Sequence, residues 1–591
     1  MKVLPQAFTD DPDKLARFEG EVKVLAWSRV ASRRKANSWV VLCACAVLLS
    51  GCREPGEPAS QVRESIYFNG DIVTMNDRQP EAEAVMVVDG RIVMVGDSDE
   101  AEALADSQTR RIDLAGATLL PGFFDSHSHV TATAAKLALV NADPPPAGTA
   151  DSIVSIQRAL RERLESARPE PGEWLVGSGY DHSMLAEGRH PTRFDLDEVS
   201  VDVPVMLRHF SGHQVVVNSK ALELAGVSAE TEDPPGGRIL RLPDSREPNG
   251  ILQESAQGVV RRLSAGFDVE PGDDALQRMD SALKEYAAHG FTTVTNMGGS
   301  GGVLREMARQ QRLPLDVIAA GSDQTYSAEY VNRFRVGGSK MILDGGSPGR
   351  SAYLRDPYFK QQPGEQGYRG YPRYGNQEEI DAQVEAYYRA GTPVHIHALG
   401  DAAVAQAIAA VQAAEAAVPG DDRRTQLIHV QQAQEDQLDT LSTLDVTLTF
   451  QVAHNYYFGD FHHEVIYGPE RTARLNPARS ALDRGLSVTI HHDAPIHPVD
   501  QMMLIWASVN RVTRSGKVIG PEQRISVMEA LKASTLNAAY QFFEEDSKGS
   551  IEVGKLADFV VLSDNPLKVD PMTLKDIQVI ETIKEDTPVL R

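Results

Sequence analysis

Two histidines, His127 and His129, close the apolar run Phe123-Phe124-Asp125-Ser126-His127-Ser128-His129. On a β-strand, residues two apart project from one face, so this pair could grip a single metal ion through neutral ring nitrogens. Alone, a His-x-His reads as easily as two polar residues at a turn. The other histidines point the same way: His395 and His397 close one apolar run, His429 the next, and His491-His492-Asp493 the last of the series. Ligands this far apart in sequence meet only if the strands carrying them close into a ring. His182, His190, His289, His462 and His463 follow no such pattern and read as structural. All three cysteines, Cys43, Cys45 and Cys52, lie in the first tenth of the chain, which leaves thiol catalysis no candidate beyond it and favours direct attack by water.

The runs that end in these residues belong to a longer alternation of short apolar strands and helical segments, the pattern of a parallel sheet built from βα units. Strand ends are expected near His129, Asn296, Ala319, Leu343, His397, Val430, Gln451 and His491, and eight is the number a closed (β/α)8, TIM-like barrel needs. Helices are expected over 273–289 and 378–390, stopped by Gly290 and Gly391, and over the Ala-rich stretch 402–417. A doubly wound sheet would place a Gly-rich phosphate turn after its first strand, and Phe124-Asp125-Ser126-His127 is nothing like one. The fold class is therefore α/β: a barrel over 121–545 with a large insertion after strand 1 at 130–290, which carries strand-like runs at 174–177 and 205–207. Short β-like pieces at 66–68, 84–88, 92–95 and 118–120, with Asp89-Gly90 as a hairpin turn, and a further patch at 549–562 suggest one small β-sandwich built from both chain ends, 65–120 and 546–591.

The chain has 591 residues, of which 42% are hydrophobic, enough for a large core. A formal net charge of -24 sets the surface against phosphate backbones, so nucleic acid is excluded as a partner class. Arg33, Arg34 and Lys35 precede an apolar run at 39–49 that is too short to span a bilayer and ends in Leu49-Ser50-Gly51-Cys52. This resembles the lipobox of bacterial lipoproteins. It implies a signal peptide over 1–51, lipidation at Cys52 and a Pro/Gly/Glu-containing tether over 52–64. The protein would be exported and lipid-anchored to the bacterial cell envelope, touching the membrane only through that anchor. Some thirty residues precede the basic cluster, which places the expected start of translation downstream, at Val30.

The run 120–129, Leu-Pro-Gly-Phe-Phe-Asp-Ser-His-Ser-His, the run His397-Ala398-Leu399-Gly400-Asp401, and the run 549–559, Gly-Ser-Ile-Glu-Val-Gly-Lys-Leu-Ala-Asp-Phe, together resemble the metal-dependent amidohydrolase superfamily. The branch they resemble is amidohydrolase family 3, the N-substituted formamide deformylase-like proteins. That resemblance spans about 65–590. It implies His127, His129, Lys340, His397, His429 and Asp493 as ligands of one or two divalent ions, with zinc the expected metal. Lys340 stands where superfamily members carry a lysine carboxylated by carbon dioxide; a free ammonium is a poor ligand, whereas its carbamate is an anion able to bridge two metals. Where family members have Gly-Ser-Asp, this chain has His491-His492-Asp493, so an extra imidazole is expected beside the base.

The implied chemistry is hydrolysis of a small-molecule amide by metal-activated water, with Asp493 taking the water proton and passing it to the leaving amine. The bond expected is a linear, non-peptide one, as in an N-acyl or N-formyl amine. An imide, carbamate or ester could be cleaved at the same site, and a cell-surface binding protein without turnover is the reading from another class. His213 is a candidate to orient the carbonyl or its oxyanion, and His209, His213, His395 and Tyr456 are candidate substrate contacts. The polar stretch 345–375 is too long for an ordinary connection and reads as a pocket-covering loop. A homodimer is compatible with the sequence.

Overall fold

The computed structural model describes residues 63–590 except 146–147, 168–169, 171, 265–271, 300, 322–324 and 362–365. The signal peptide, the lipidation site Cys52 and most of the tether lie outside the described residues.

Eight strands form one parallel sheet: β1 (Phe123–Phe124), β2 (Phe291–Met297), β3 (Asp316–Ala320), β4 (Phe334–Ile342), β5 (Val394–Ala398), β6 (Thr425–His429), β7 (Val446–Phe450) and β8 (Ser487–Ile490). They pair in sequence order, each hydrogen-bonded to the next. Every residue of β2, β3, β5, β6 and β7 is buried, as strands covered on both faces must be. The sheet curls until its ends meet through side chains. Ser126, just past β1, donates its hydroxyl to the Ile490 carbonyl at 2.9 Å and lies 3.0 Å from the Thr449 hydroxyl.

Helices cover the outer face of this sheet. The helix Asp273–Ala288 starts on two acidic residues, which suit a helix N-terminus, and is stopped by Gly290 at φ 86. The helix Asp401–Ala417 buries Ala403, Val404, Ala407, Ile408, Val411 and Ala414, one stripe at helical spacing.

Between β1 and β2 the chain builds a second sheet of six strands, ordered 237–241, 248–254, 214–217, 205–209, 175–180, 140–141. A third sheet joins both chain ends: Phe559–Leu562 runs antiparallel to Thr118–Pro121, which pairs with Glu64–Val73. By pairing this is one continuous sheet of eight strands, not two sheets, and its long first strand carries Arg110–Asp113 and Thr118–Pro121 along successive halves of one edge. Sequence reading missed its strands at Arg110–Asp113, Val579–Lys584 and Thr587–Leu590. Among the described residues no helix is long and apolar enough to cross a membrane.

Candidate metal centre

The ligand candidates gather at or just past the C-terminal ends of the parallel strands. His127 and His129 are the exception in kind: β1 stops at Phe124, so the pair sits on a turn beyond the strand and does not share a strand face. Asp125 shapes that turn. Its carboxylate, buried, accepts the His127 N–H at 3.2 Å, the Thr295 N–H at 2.9 Å, the Thr295 hydroxyl at 2.8 Å and the Ser128 hydroxyl at 2.5 Å. The two rings end 5.3 Å apart and nearly perpendicular, with Nε2 of each 3.3 Å from Asp493 Oδ1.

His429 ends β6 at φ 74 and Asp493 follows β8 at φ 61, both positive values that are uncommon outside glycine and that His and Asp tolerate better than most residues. The amide of Gln451, just past β7, donates to Asp493 Oδ2 at 3.1 Å. The ring of His429 stands 4.4 Å from that of His397 and 5.4 Å from that of His127. Lys340, on β4, places Nζ 3.4 Å from His127 Nε2. The six residues implied as ligands thus converge on one pocket.

His491 belongs with them. Its ring is 5.0 Å from those of both His127 and His429, and it groups with His429 and Asp493 within reach of one ion. His492 turns the other way: its Nδ1 accepts the Ala494 N–H at 2.9 Å and its ring packs on Tyr286 and Phe291. Of the two, His491 is therefore the extra imidazole expected beside the base. Asp344 escaped sequence reasoning. It accepts the N–H groups of Tyr353, Leu399 and Gly400 at 2.9 Å each and so fixes the turn after His397.

Buried polar atoms normally find partners. Here His127 Nδ1, His429 Nδ1, both nitrogens of His491, and Asp493 Oδ1 are buried without a hydrogen bond. Burial holds His127, His429 and His491 well below the ordinary histidine range, His491 at about 3, so the rings are neutral. Burial alone would raise the Asp493 carboxyl, yet the rings of His127, His129 and His429 carry it well below. Lys340 is lowered by burial to about 7, against the pull of Asp493. Neutral imidazoles, an ionised carboxylate and an amine free to lose its proton make a donor set that suits a divalent ion.

Three other expected contacts lie elsewhere. His395 is one step below His397 on the inner face of β5 and is taken up by Gln426 and the Gly337 carbonyl. His209 is buried behind the turn that carries His213, bonded to Ser211 at 2.8 Å and His182 at 3.2 Å. Tyr456 packs edge-on against Trp506, 5.6 Å away, and belongs to the core. His213 does reach the pocket, its ring 5.5 Å from that of His397.

His182, His190 and His209 form a second histidine group. The rings of His182 and His190 are stacked 3.7 Å apart at 23°. Imidazoles meeting on one ion, with nitrogens about 2.0–2.1 Å from it, diverge and keep their centroids roughly 5 Å apart. The stacked pair does not converge; the rings around Asp493 do.

The family model described as "Amidohydrolase family" matches residues 110–590. N-substituted formamide deformylase of Arthrobacter pascens is 28% identical over 543 residues, an alignment that covers 88% of this chain and 97% of that one. Among solved structures, an uncharacterized metal-dependent hydrolase of Pyrococcus furiosus superposes with a TM-score of 0.63 at 25% identity, covering 85% of this chain and all of that one. One of Pyrococcus horikoshii gives 0.65 at 24% identity, covering 86% and 99%.

Proposed function

The chain belongs to the amidohydrolase family and is a metal-dependent hydrolase of carbon–nitrogen bonds, and from that premise we propose that it cleaves a linear, non-peptide amide such as an N-acyl or N-formyl amine. The observation that carries this is the convergence of His127, His129, His429 and His491 on Asp493, with Nδ1 of His127 and of His429, both nitrogens of His491 and Asp493 Oδ1 buried without hydrogen bonds. His127, His129, His397, His429, His491 and Asp493 would hold one or two divalent ions, with Lys340 as a further ligand in its carboxylated form. When bound, such an ion supplies a water whose pKa falls to about 7 and a Lewis acid for the carbonyl. Zinc is the proposed metal.

Asp493 is the proposed base. Its Oδ2 is steadied by Gln451 while Oδ1 faces the histidines, so one oxygen is fixed and the other is turned to the pocket. A proton taken there lies within the same pocket as the leaving amine, which needs it to depart. The formamide deformylase likeness favours the amide over an imide, carbamate or ester, which the same arrangement could attack.

The eight-stranded sheet is read as a closed (β/α)8 barrel, the sheet between β1 and β2 as its insertion, and the end sheet as a sandwich folded on itself. A lipid anchor at Cys52 would hold the enzyme at the bacterial cell envelope, with no nucleic acid partner and a homodimer open.

The test is a hydrolysis screen of N-acyl amines, imides, carbamates and esters with the full chain reconstituted with Zn, Mn or Fe. Amine release from an N-acyl or N-formyl amine that is lost in Asp493→Asn supports the reading. Absence of any bound metal after reconstitution, or an active Asp493→Asn, overturns it.

A further inference from the structure

His213 enters the pocket from the second sheet, at the turn between the strands Val205–His209 and Gln214–Val217. What holds it there is Glu254, the last residue of the strand Pro248–Glu254. The two residues are joined twice. The Glu254 N–H donates to the His213 carbonyl at 2.9 Å, and His213 Nδ1 lies 3.0 Å from Glu254 Oε2. The ladder that pairs Gln214 with Gln253 thus gains one more rung at its pocket end.

Two features set Glu254 apart from an ordinary strand residue. Its backbone stands at φ 49, ψ -123, a region that side chains disfavour and that persists only where the surroundings enforce it. Its other carboxylate oxygen accepts the Ser351 hydroxyl at 2.6 Å, and Ser351 lies in the long connection after β4, opposite the second sheet. That connection approaches so closely that a Cβ on Gly345 would meet Glu254 Oε1 and Ser351 Oγ at 2.2 Å, and one on Gly346 would meet the His213 ring at 2.8 Å. Two adjacent glycines therefore make the room in which the carboxylate and the imidazole sit. The side chain of Glu254 is 8% exposed, yet it bears a charge-capable group that none of the proposed metal ligands uses.

We propose that Glu254 is a positioning residue: through Ser351 on one oxygen and His213 Nδ1 on the other, it fixes the plane of the His213 imidazole and presents Nε2 to the substrate beside His397. The arrangement repeats a general device, in which a carboxylate on one ring nitrogen decides which nitrogen meets the reacting group. It also makes the second sheet part of the active site, because the residue reaching the substrate and the residue aiming it both come from that sheet, while the barrel loop clamps the pair.

This inference rests on the proposed hydrolysis for its kinetic reading but not for its structural one. With the metal-reconstituted full chain, Glu254→Ala and His213→Ala should each lower kcat by roughly 10²-fold, with KM and bound metal little changed, and the double variant should be no slower than the worse single one. Glu254→Gln, which keeps the volume and one acceptor oxygen, should recover part of the loss. In ¹⁵N-histidine spectra, a hydrogen-bonded Nδ1 proton assigned by its disappearance in His213→Ala should also vanish in Glu254→Ala. Losses that multiply in the double variant, or a Glu254→Ala protein as active as the parent, overturn the proposal. So does an Nδ1 proton that survives Glu254→Ala or is missing from the parent, and this holds even if no substrate is turned over, the outcome that would instead remove the proposed hydrolysis.

Discussion

Nζ of Lys340 lies 3.4 Å from Nε2 of His127; the imidazole is buried and the lysine half-buried. Two positive charges this close repel, which disfavours both groups being charged at once. Burial brings Lys340 down to about 7 and His127 well below its ordinary value. Near neutral pH the lysine is thus often an amine, the form that reacts with carbon dioxide.

The first prediction follows from that pair. Added bicarbonate should raise the metal retained by the parent protein after dialysis, and should do nothing for Lys340→Ala, which should also lose hydrolysis by roughly 10²-fold or more. Elemental analysis of dialysed protein reads the effect. Equal metal content in parent and variant, with or without bicarbonate, would remove Lys340 from the ligand set.

His491 and His492 separate metal binding from packing. His491 has two buried nitrogens without partners beside Asp493, so His491→Ala should cut bound metal and activity while leaving the fold. His492 fills space against Tyr286 and Phe291 and accepts one backbone N–H, so His492→Ala should cost about 1–3 kcal/mol of stability and keep its metal. Metal content and urea unfolding measured side by side distinguish the two; the reverse pattern would exchange their roles.

Much of this was legible in the chain because strands buried on both faces are continuous apolar runs, and a ligand at the end of each marks where the ladder stops. Seven of the eight expected strand ends fall within one residue of the observed ones. The eighth failed because β1 has only two paired residues, and what places His127 and His129 is the set of bonds to Asp125, a tertiary arrangement that no spacing reveals. The strand Val579–Lys584 was illegible for a different reason. It carries Lys584 on its buried side, where alternation would call for an apolar residue, and the partners that make this tolerable come from elsewhere in the chain.

The leader makes a prediction of its own. If Cys52 is acylated and the peptide is cut before it, intact mass of the membrane-extracted protein should correspond to residues 52–591 plus lipid, and Cys52→Ala should accumulate with its leader attached. A mature protein that retains residues 1–51 excludes the anchor.

Lys584 supplies the last prediction. Its ammonium is fully buried and lies 2.8 Å from both Asp316 and Asp558, while Lys548 approaches Asp316 at 2.6 Å. Asp316 is the first residue of β3, at the end of the parallel sheet opposite the metal ligands, so the network ties the end sheet to that end and not to the site. Removing one partner of a buried ion pair leaves an uncompensated charge, and Lys584→Met should lose about 3–5 kcal/mol in urea unfolding while its metal content and its turnover at low temperature stay those of the parent. The pH dependence follows from the directions of the shifts. Burial would raise Asp316, but the two ammoniums carry it well below the carboxylate range, so its contribution is complete above an unfolded value of about 3.9 and is lost as pH falls through the lower folded value. Burial would lower Lys584, but Asp316 and Asp558 raise it, so its contribution is complete below about 10.4 and is lost as pH rises through the higher folded value. The gap between parent and Lys584→Met should therefore be widest between about pH 5 and 9 and should narrow toward either extreme. A gap that closes near pH 7, or a variant that unfolds like the parent throughout, would mean that the network does not hold the end sheet in place.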